Sequence, residues 1–126
     1  MRAVDTNVLV RLIARDDPRQ VAAAEEFVKN GAWVSVLALA ETTWVLSSIY
    51  ELDPASLATA IEMLLEQEVL VLQDHDAVAR ALKRFRAKSS LDFSDCLMLE
   101  LAQKAGHLPL GTFDRALGRM DGVRTL

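Results

Sequence analysis

Arg2-Ala3-Val4-Asp5-Thr6-Asn7-Val8-Leu9-Val10-Arg11-Leu12-Ile13 sets the reading of the chain. Arg2–Asp5 reads as a short strand that ends on an acid. Val8, Leu9, Leu12 and Ile13 then recur at helical spacing, so a helix follows at once. The same alternation continues. Asp17-Pro18 starts a helix, because the carboxylate accepts from orphan N–H groups and proline suits the first helical position. That helix ends at Asn30-Gly31, where glycine tolerates a positive φ.

Ala32–Val36 is the second strand and residues 37–50 a helix. Asp53-Pro54 opens the next, with Leu57, Ile61, Leu64 and Leu65 as one apolar stripe. Val69–Leu72 is the third strand. Asp74 can cap the following helix, whose apolar side carries Val78, Ala81, Leu82 and Phe85. Ser94–Ala105 is apolar almost all round, which suggests a well-covered position, and Gly106 stops it. Leu108–Thr112 is a fourth strand, Asp114–Arg119 a short helical turn and Val123–Leu126 an edge strand. Strands joined through helices need crossovers, hence parallel pairing. The expected fold is α/β, with a central parallel sheet of four to five short strands between two helical layers, in one domain over residues 1–126. Ligands of such sheets bind beyond the carboxyl ends of the strands.

With 126 residues, 52% hydrophobic and 25% charged, the chain can bury its own core, and disordered and collagen-like classes are excluded. The single cysteine, Cys96, permits neither an intramolecular disulfide nor a cysteine zinc site, and a reducing compartment is the natural reading. No signal-peptide pattern and no run of about 18 apolar residues is present, so a soluble cytoplasmic protein with no membrane association is expected. A net charge of −4 argues against a generic nucleic-acid coat protein.

Four acids stand where ligands bind. Asp5 ends the first strand, Glu41 lies early in the helix after the second, Asp95 is in the first turn of the apolar helix, and Asp114 follows the fourth strand. Singly, each has a structural reading: Asp5 and Asp114 cap helices, Asp95 complements a helix dipole, and Glu41 is a solvated helix residue, although Leu39, Ala40, Val45 and Leu46 make its segment largely apolar. Four packed together repel, so some must protonate or a cation must sit among them, and an all-oxygen set selects Mg²⁺ or Mn²⁺. Such a centre suits in-line displacement at phosphorus.

Residues 80–88 hold five positive charges and no negative one. Arg80, Lys83, Arg84 and Lys88 share a helical face and lead toward Asp92 and Asp95, as a solvated polar face or as a phosphate track. Arg11 and Arg15 could extend that track. His75 and His107 read as ordinary loop or cap residues, and Trp33 and Trp44 as core or dimer contacts.

Val4-Asp5-Thr6-Asn7, Leu39-Ala40-Glu41-Thr42, Asp92-Phe93-Ser94-Asp95-Cys96 and Thr112-Phe113-Asp114 occur in an order and spacing that resembles the PIN-domain ribonucleases, and among them the VapC-type toxins of toxin–antitoxin pairs. The resemblance covers essentially the whole chain. It implies a PIN-like α/β/α fold and a Mg²⁺-dependent endoribonuclease with Asp5, Glu41, Asp95 and Asp114 as metal-binding catalytic acids. Asn7 and Thr112 match accessory polar positions that help hold the carboxylates. Asp92 is either an outer acid or a helix cap. Cys96 stands where the family often has alanine. The implied partners are an RNA substrate, a small antitoxin and a second copy of the chain.

Rival classes fit less well. A haloacid-dehalogenase-type phosphatase needs a second aspartate where Asn7 stands. A receiver-like signalling domain needs an acceptor aspartate directly after the third strand and a lysine after the fourth. A PIN-like binding module without catalysis is the remaining alternative.

Overall fold

The computed structural model describes residues 1–88 and 90–126. In chain order it contains β1 (Arg2–Val4), α1 (Thr6–Ala14), α2 (Pro18–Val28), β2 (Ala32–Val34), α3 (Val36–Ser48), α4 (Pro54–Glu66), β3 (Leu70–Leu72), α5 (His75–Ala87), α6 (Phe93–Ala105), β4 (Leu110–Thr112), a 3-10 turn (Leu117–Arg119) and β5 (Val123–Thr125). The fold is mixed α/β with parallel strands, as expected. It comprises two compact units, Met1–His75 and Asp76–Leu126. Among the described residues no helix is long and apolar enough to cross a membrane.

The strands do not form the single sheet expected from their order. They form two parallel ladders, β1-β2-β3 in the first unit and β4-β5 in the second. In the first, Val4, Val34 and Leu72 lie in register, and all three are buried. The alternate row, Ala3, Trp33 and Val71, points to the opposite side of the pleat and stays exposed. Trp33 is therefore not a core residue, and neither is Trp44, which is 64% exposed.

Helix starts in the first unit follow their sequence signals. Asp17 accepts from the backbone N–H of Gln20 at 3.1 Å with Pro18 next to it, and Asp53 accepts from Ser56 at 2.8 Å ahead of Pro54. That N–H bond holds the Asp53 carboxyl below its ordinary value. Ser35 caps α3 by accepting from Ala38 N–H at 3.0 Å. α1 packs against α2 and α3, and α3 against α4. Leu9, Leu39, Leu46 and Ile61 are almost wholly buried. Arg11 ties the unit together from outside, donating to Asp16 and to Tyr50 Oη, each at 2.9 Å, and to Gln20.

In the second unit Phe85 and Phe93 meet edge to face at 6.0 Å between centroids, joining α5 to α6. A polar seam runs beside this contact. Lys104 Nζ lies 2.7 Å from Asp76, Arg80 lies 3.6 Å from Asp76 and 3.4 Å from Glu100, and Arg84 lies 3.5 Å from Glu100. α6 ends at Gly106 in the left-handed region, φ +81. Met98 is 50% exposed, so α6 is less completely covered than its composition suggests. The 3-10 turn lies so close to β5 that a Cβ on Gly118 would collide with Thr125.

Ser35 offers a clean test of the capping frame. Replacing it with alanine should cost about 1 kcal/mol, read as a lower urea midpoint with unchanged m-value. An unchanged midpoint would mean that the Ser35 bond contributes nothing net.

Candidate functional site

The first unit holds Asp5 and Glu41. Asp5 sits at the end of β1 in extended conformation, and its Oδ1 accepts from Val8 N–H at 3.2 Å. It is thus a helix cap, but capping occupies one of two exposed carboxylate oxygens, so it does not preclude ligation. Thr6, the first residue of α1, donates its hydroxyl to Glu41 Oε2 at 2.9 Å. This bond pins the acid of α3 to the start of α1.

Two expectations change here. Glu41 is exposed, because the buried stripe of α3 is Ala38, Leu39, Thr42, Thr43 and Leu46. Asn7, expected to help hold the carboxylates, bonds neither acid. It lines a hollow of about 450 Å³ with residues of α1 and α2 that include Val8, Gln20 and Phe27. Thr6 does the holding instead, and its only sequence signal was a hydroxyl between Asp5 and Asn7.

The second unit holds Asp92, Asp95 and Asp114. Asp92 occupies the N-cap position of α6, but its side chain makes no capping bond. Its carbonyl serves that end instead, accepting from the N–H groups of Asp95 at 3.1 Å and Cys96 at 3.3 Å. Of the two readings of Asp92, the outer acid is the one its free carboxylate leaves open. Asp114 is held on both sides: its N–H donates to Thr112 Oγ1 and its Oδ1 accepts from Leu117 N–H, each at 3.0 Å. Thr112 thus holds the loop that carries the acid.

Asp95 is electrostatically distinct. Partial burial, then the charges of Asp92 and Asp114, hold its carboxyl above the ordinary aspartate value. Burial, with Asp95 next to it, pushes the Cys96 thiol up to about 11, so the cysteine stays an uncharged packing residue.

Residues 2–123 match the PIN domain family. The chain belongs to the PIN domain family. The match spans both units and includes all four expected acids. Neither the curated proteins nor the solved structures contain a match to the chain. PIN domains are generally nucleases that use divalent metal ions.

The donors of this PIN domain fit such an ion in chemistry and charge. They are all carboxylates, and Asp95 sits where negative charge is unfavourable and an added cation would relieve it. Among the described residues no group of three or more Asp, Glu, His or Cys side chains is placed to hold a metal ion together. Mg²⁺ does not require one, since it commonly keeps water and binds through one or two carboxylates plus substrate phosphate.

The positive run divides. Arg80 and Arg84 face Glu100, a buried acid of α6, while Lys83 is exposed on α5 and Lys88 is exposed just beyond its end at Ala87. Arg11 is engaged by Asp16, and Arg15 lies 3.3 Å from Glu25, so neither is an unpaired cation. His75 Nε2 lies 3.2 Å from the carbonyl of Leu65, a structural contact.

The raised Asp95 carboxyl has a signed consequence. The folded state binds that proton more tightly than the unfolded chain. Stability is therefore lost as pH rises from about 3.9, the unfolded aspartate value, through the folded one. Asp95→Asn should raise the melting temperature at neutral pH without added metal, and the gain should vanish below about pH 3. A gain of equal size at both pH values would show that ionisation of Asp95 carries no strain.

Proposed function

We propose that this PIN domain is a Mg²⁺-dependent endoribonuclease, the toxin of a toxin–antitoxin pair, acting through Asp5, Glu41, Asp95 and Asp114. The observation that carries the reading is Asp95, partly buried and then opposed by the charges of Asp92 and Asp114, in a chain of a nuclease family. Charge is concentrated there at a cost to folding, which a purely structural site has no reason to retain.

Mg²⁺, or Mn²⁺ in its place, would be held by carboxylate oxygens of one or two of the four acids with water, and when bound it would supply Lewis-acid stabilisation of the charge that develops on the phosphodiester. The chain's own residues do the positioning. Thr6 fixes Glu41 through Oε2, Thr112 Oγ1 holds the Asp114 backbone N–H, and Leu117 N–H fixes the Asp114 carboxylate. Asp95, whose carboxyl takes up a proton more readily than an ordinary aspartate, suits proton acceptance from the attacking water. Lys83 and Lys88 attract the RNA backbone by charge.

The toxin role and the antitoxin partner rest on the motif resemblance and on the frequency of toxins in the family. The proposed homodimer uses the outer face of α3, where Leu37 (67% exposed) and Trp44 (64% exposed) stand about two turns apart.

Purified protein should cut total RNA into discrete fragments in Mg²⁺ or Mn²⁺. EDTA should abolish cutting, and Asp5→Asn and Asp114→Asn should each lower it about 100-fold or more. Expression should arrest growth and Asp5→Asn should relieve the arrest. RNA binding without metal-dependent cleavage would instead identify a non-catalytic PIN module.

The assembly has its own test. Light scattering should give a dimer mass for the parent and a monomer mass for Leu37→Lys/Trp44→Glu with an unchanged melt. A monomeric parent would remove the α3 interface.

A further inference from the structure

Glu100 is the only charged residue in the described interior, with a side chain 3% exposed. Burying an isolated carboxylate costs several kcal/mol, so it must be compensated. The compensation comes from α5. Arg80 Nε lies 3.4 Å from Oε1 and Arg84 Nε lies 3.5 Å from Oε2. In both pairs the approaching atom is Nε, and Oε2 has no hydrogen bond. The remaining reach of each guanidinium is also used: Arg80 approaches Asp76 at 3.6 Å and Arg84 donates to Gln103 at 3.5 Å.

The three charges are unequal in mobility. Arg80 is half-exposed and could swing into solvent, whereas Glu100 cannot leave the interior. A phosphate that drew either arginine away would leave a buried carboxylate less compensated, and that penalty opposes the exchange. Lys83 and Lys88 are exposed and form no ion pair among the described residues, so they carry no such penalty.

The geometry points to Glu100 as the residue that limits the nucleic-acid affinity of the α5 surface, by withdrawing Arg80 and Arg84 from phosphate contact and leaving Lys83 and Lys88 to make it. The inference rests on the proposed reading of RNA as the ligand. It assigns a function to an acid that takes no part in the candidate centre, and it divides a run of cations that looks uniform in sequence.

Fluorescence anisotropy of a labelled oligouridylate, titrated with the full chain in EDTA between about 50 and 200 mM KCl, measures the phosphates engaged, because the slope of log K against log salt steepens by about 0.7 for each one on a single strand. Glu100→Gln should bind several-fold more tightly, with a slope steeper by about 0.7 to 1.4. Lys83→Gln should flatten the parent slope by about 0.7, and Arg80→Gln should leave it unchanged.

An unchanged slope and affinity for Glu100→Gln, with only a lower melting temperature, would overturn the proposal and leave Glu100 a folding residue. If Glu100→Gln does not fold, Arg80→Gln against Lys83→Gln decides: equal flattening overturns it. Either result beside retained metal-dependent cleavage spares the ribonuclease reading. A flat salt response for every chain, with no cleavage, removes that reading and this inference with it.

Discussion

The in-register row Val4, Val34 and Leu72 is the constraint on which the first unit depends. Each residue is the last of a three-residue strand, and burial of all three holds the strand ends level. The residues that follow are therefore brought to one edge: Asp5, Ser35 and Gln73. All three are polar, and each serves the start of a helix. Asp5 caps α1, Ser35 caps α3, and Gln73 accepts from Val36 N–H through Oε1 while its own N–H donates to the carbonyl of Val34. A one-residue slip of any strand would send its apolar end to the other face and carry its cap away from its helix. The bond from Thr6 to Glu41 is a consequence of this level edge, since it needs α1 and α3 to start from neighbouring strands.

Acids in the chain are handled in three physically different ways. Asp53 is given a backbone donor, which favours its charged form. Glu100 is given two guanidiniums across a helix seam, which makes burial of its charge tolerable. Asp95 is given neither. It is partly buried, the charges that bear on it are those of Asp92 and Asp114, and its carboxyl rises. The fold thus has the means to stabilise carboxylates and does not apply them at the start of α6. Such selective omission marks a functional place more sharply than a count of acids does.

Much of this was legible locally. Strand and helix identities, the Asp-Pro starts at Asp17 and Asp53, the stop at Gly106 and the positions of four acids after strands or early in helices all follow from short-range chemistry. Strand pairing was not, because three-residue apolar strands carry no mark of which partner they take, and the split into two ladders is a non-local outcome. Glu41 was read as part of a buried segment because its neighbours are apolar, yet burial on a helix depends on angle more than on adjacency. Thr6 was passed over for the same reason in reverse: its importance is a contact with a residue 35 positions away.

Glu100 shows the limit most clearly. Within α6 it is one acid among leucines, and within α5 the arginines look like a uniform basic face. Only the antiparallel seam of the two helices joins them, and it changes what both segments mean. On the proposed ribonuclease reading the face loses its strongest phosphate binders, since a guanidinium offers a fork where an ammonium offers a point charge. For an acidic chain with a net charge of −4, a moderate hold on RNA has a physical logic. Binding energy spent equally on substrate and transition state does not speed the reaction, and a tight grip along α5 would hold product as firmly as substrate. In the proposed ribonuclease, charge gathered at Asp95 and charge withdrawn at Arg80 and Arg84 would then favour the same outcome, in which discrimination comes from the reacting phosphate more than from the length of backbone bound.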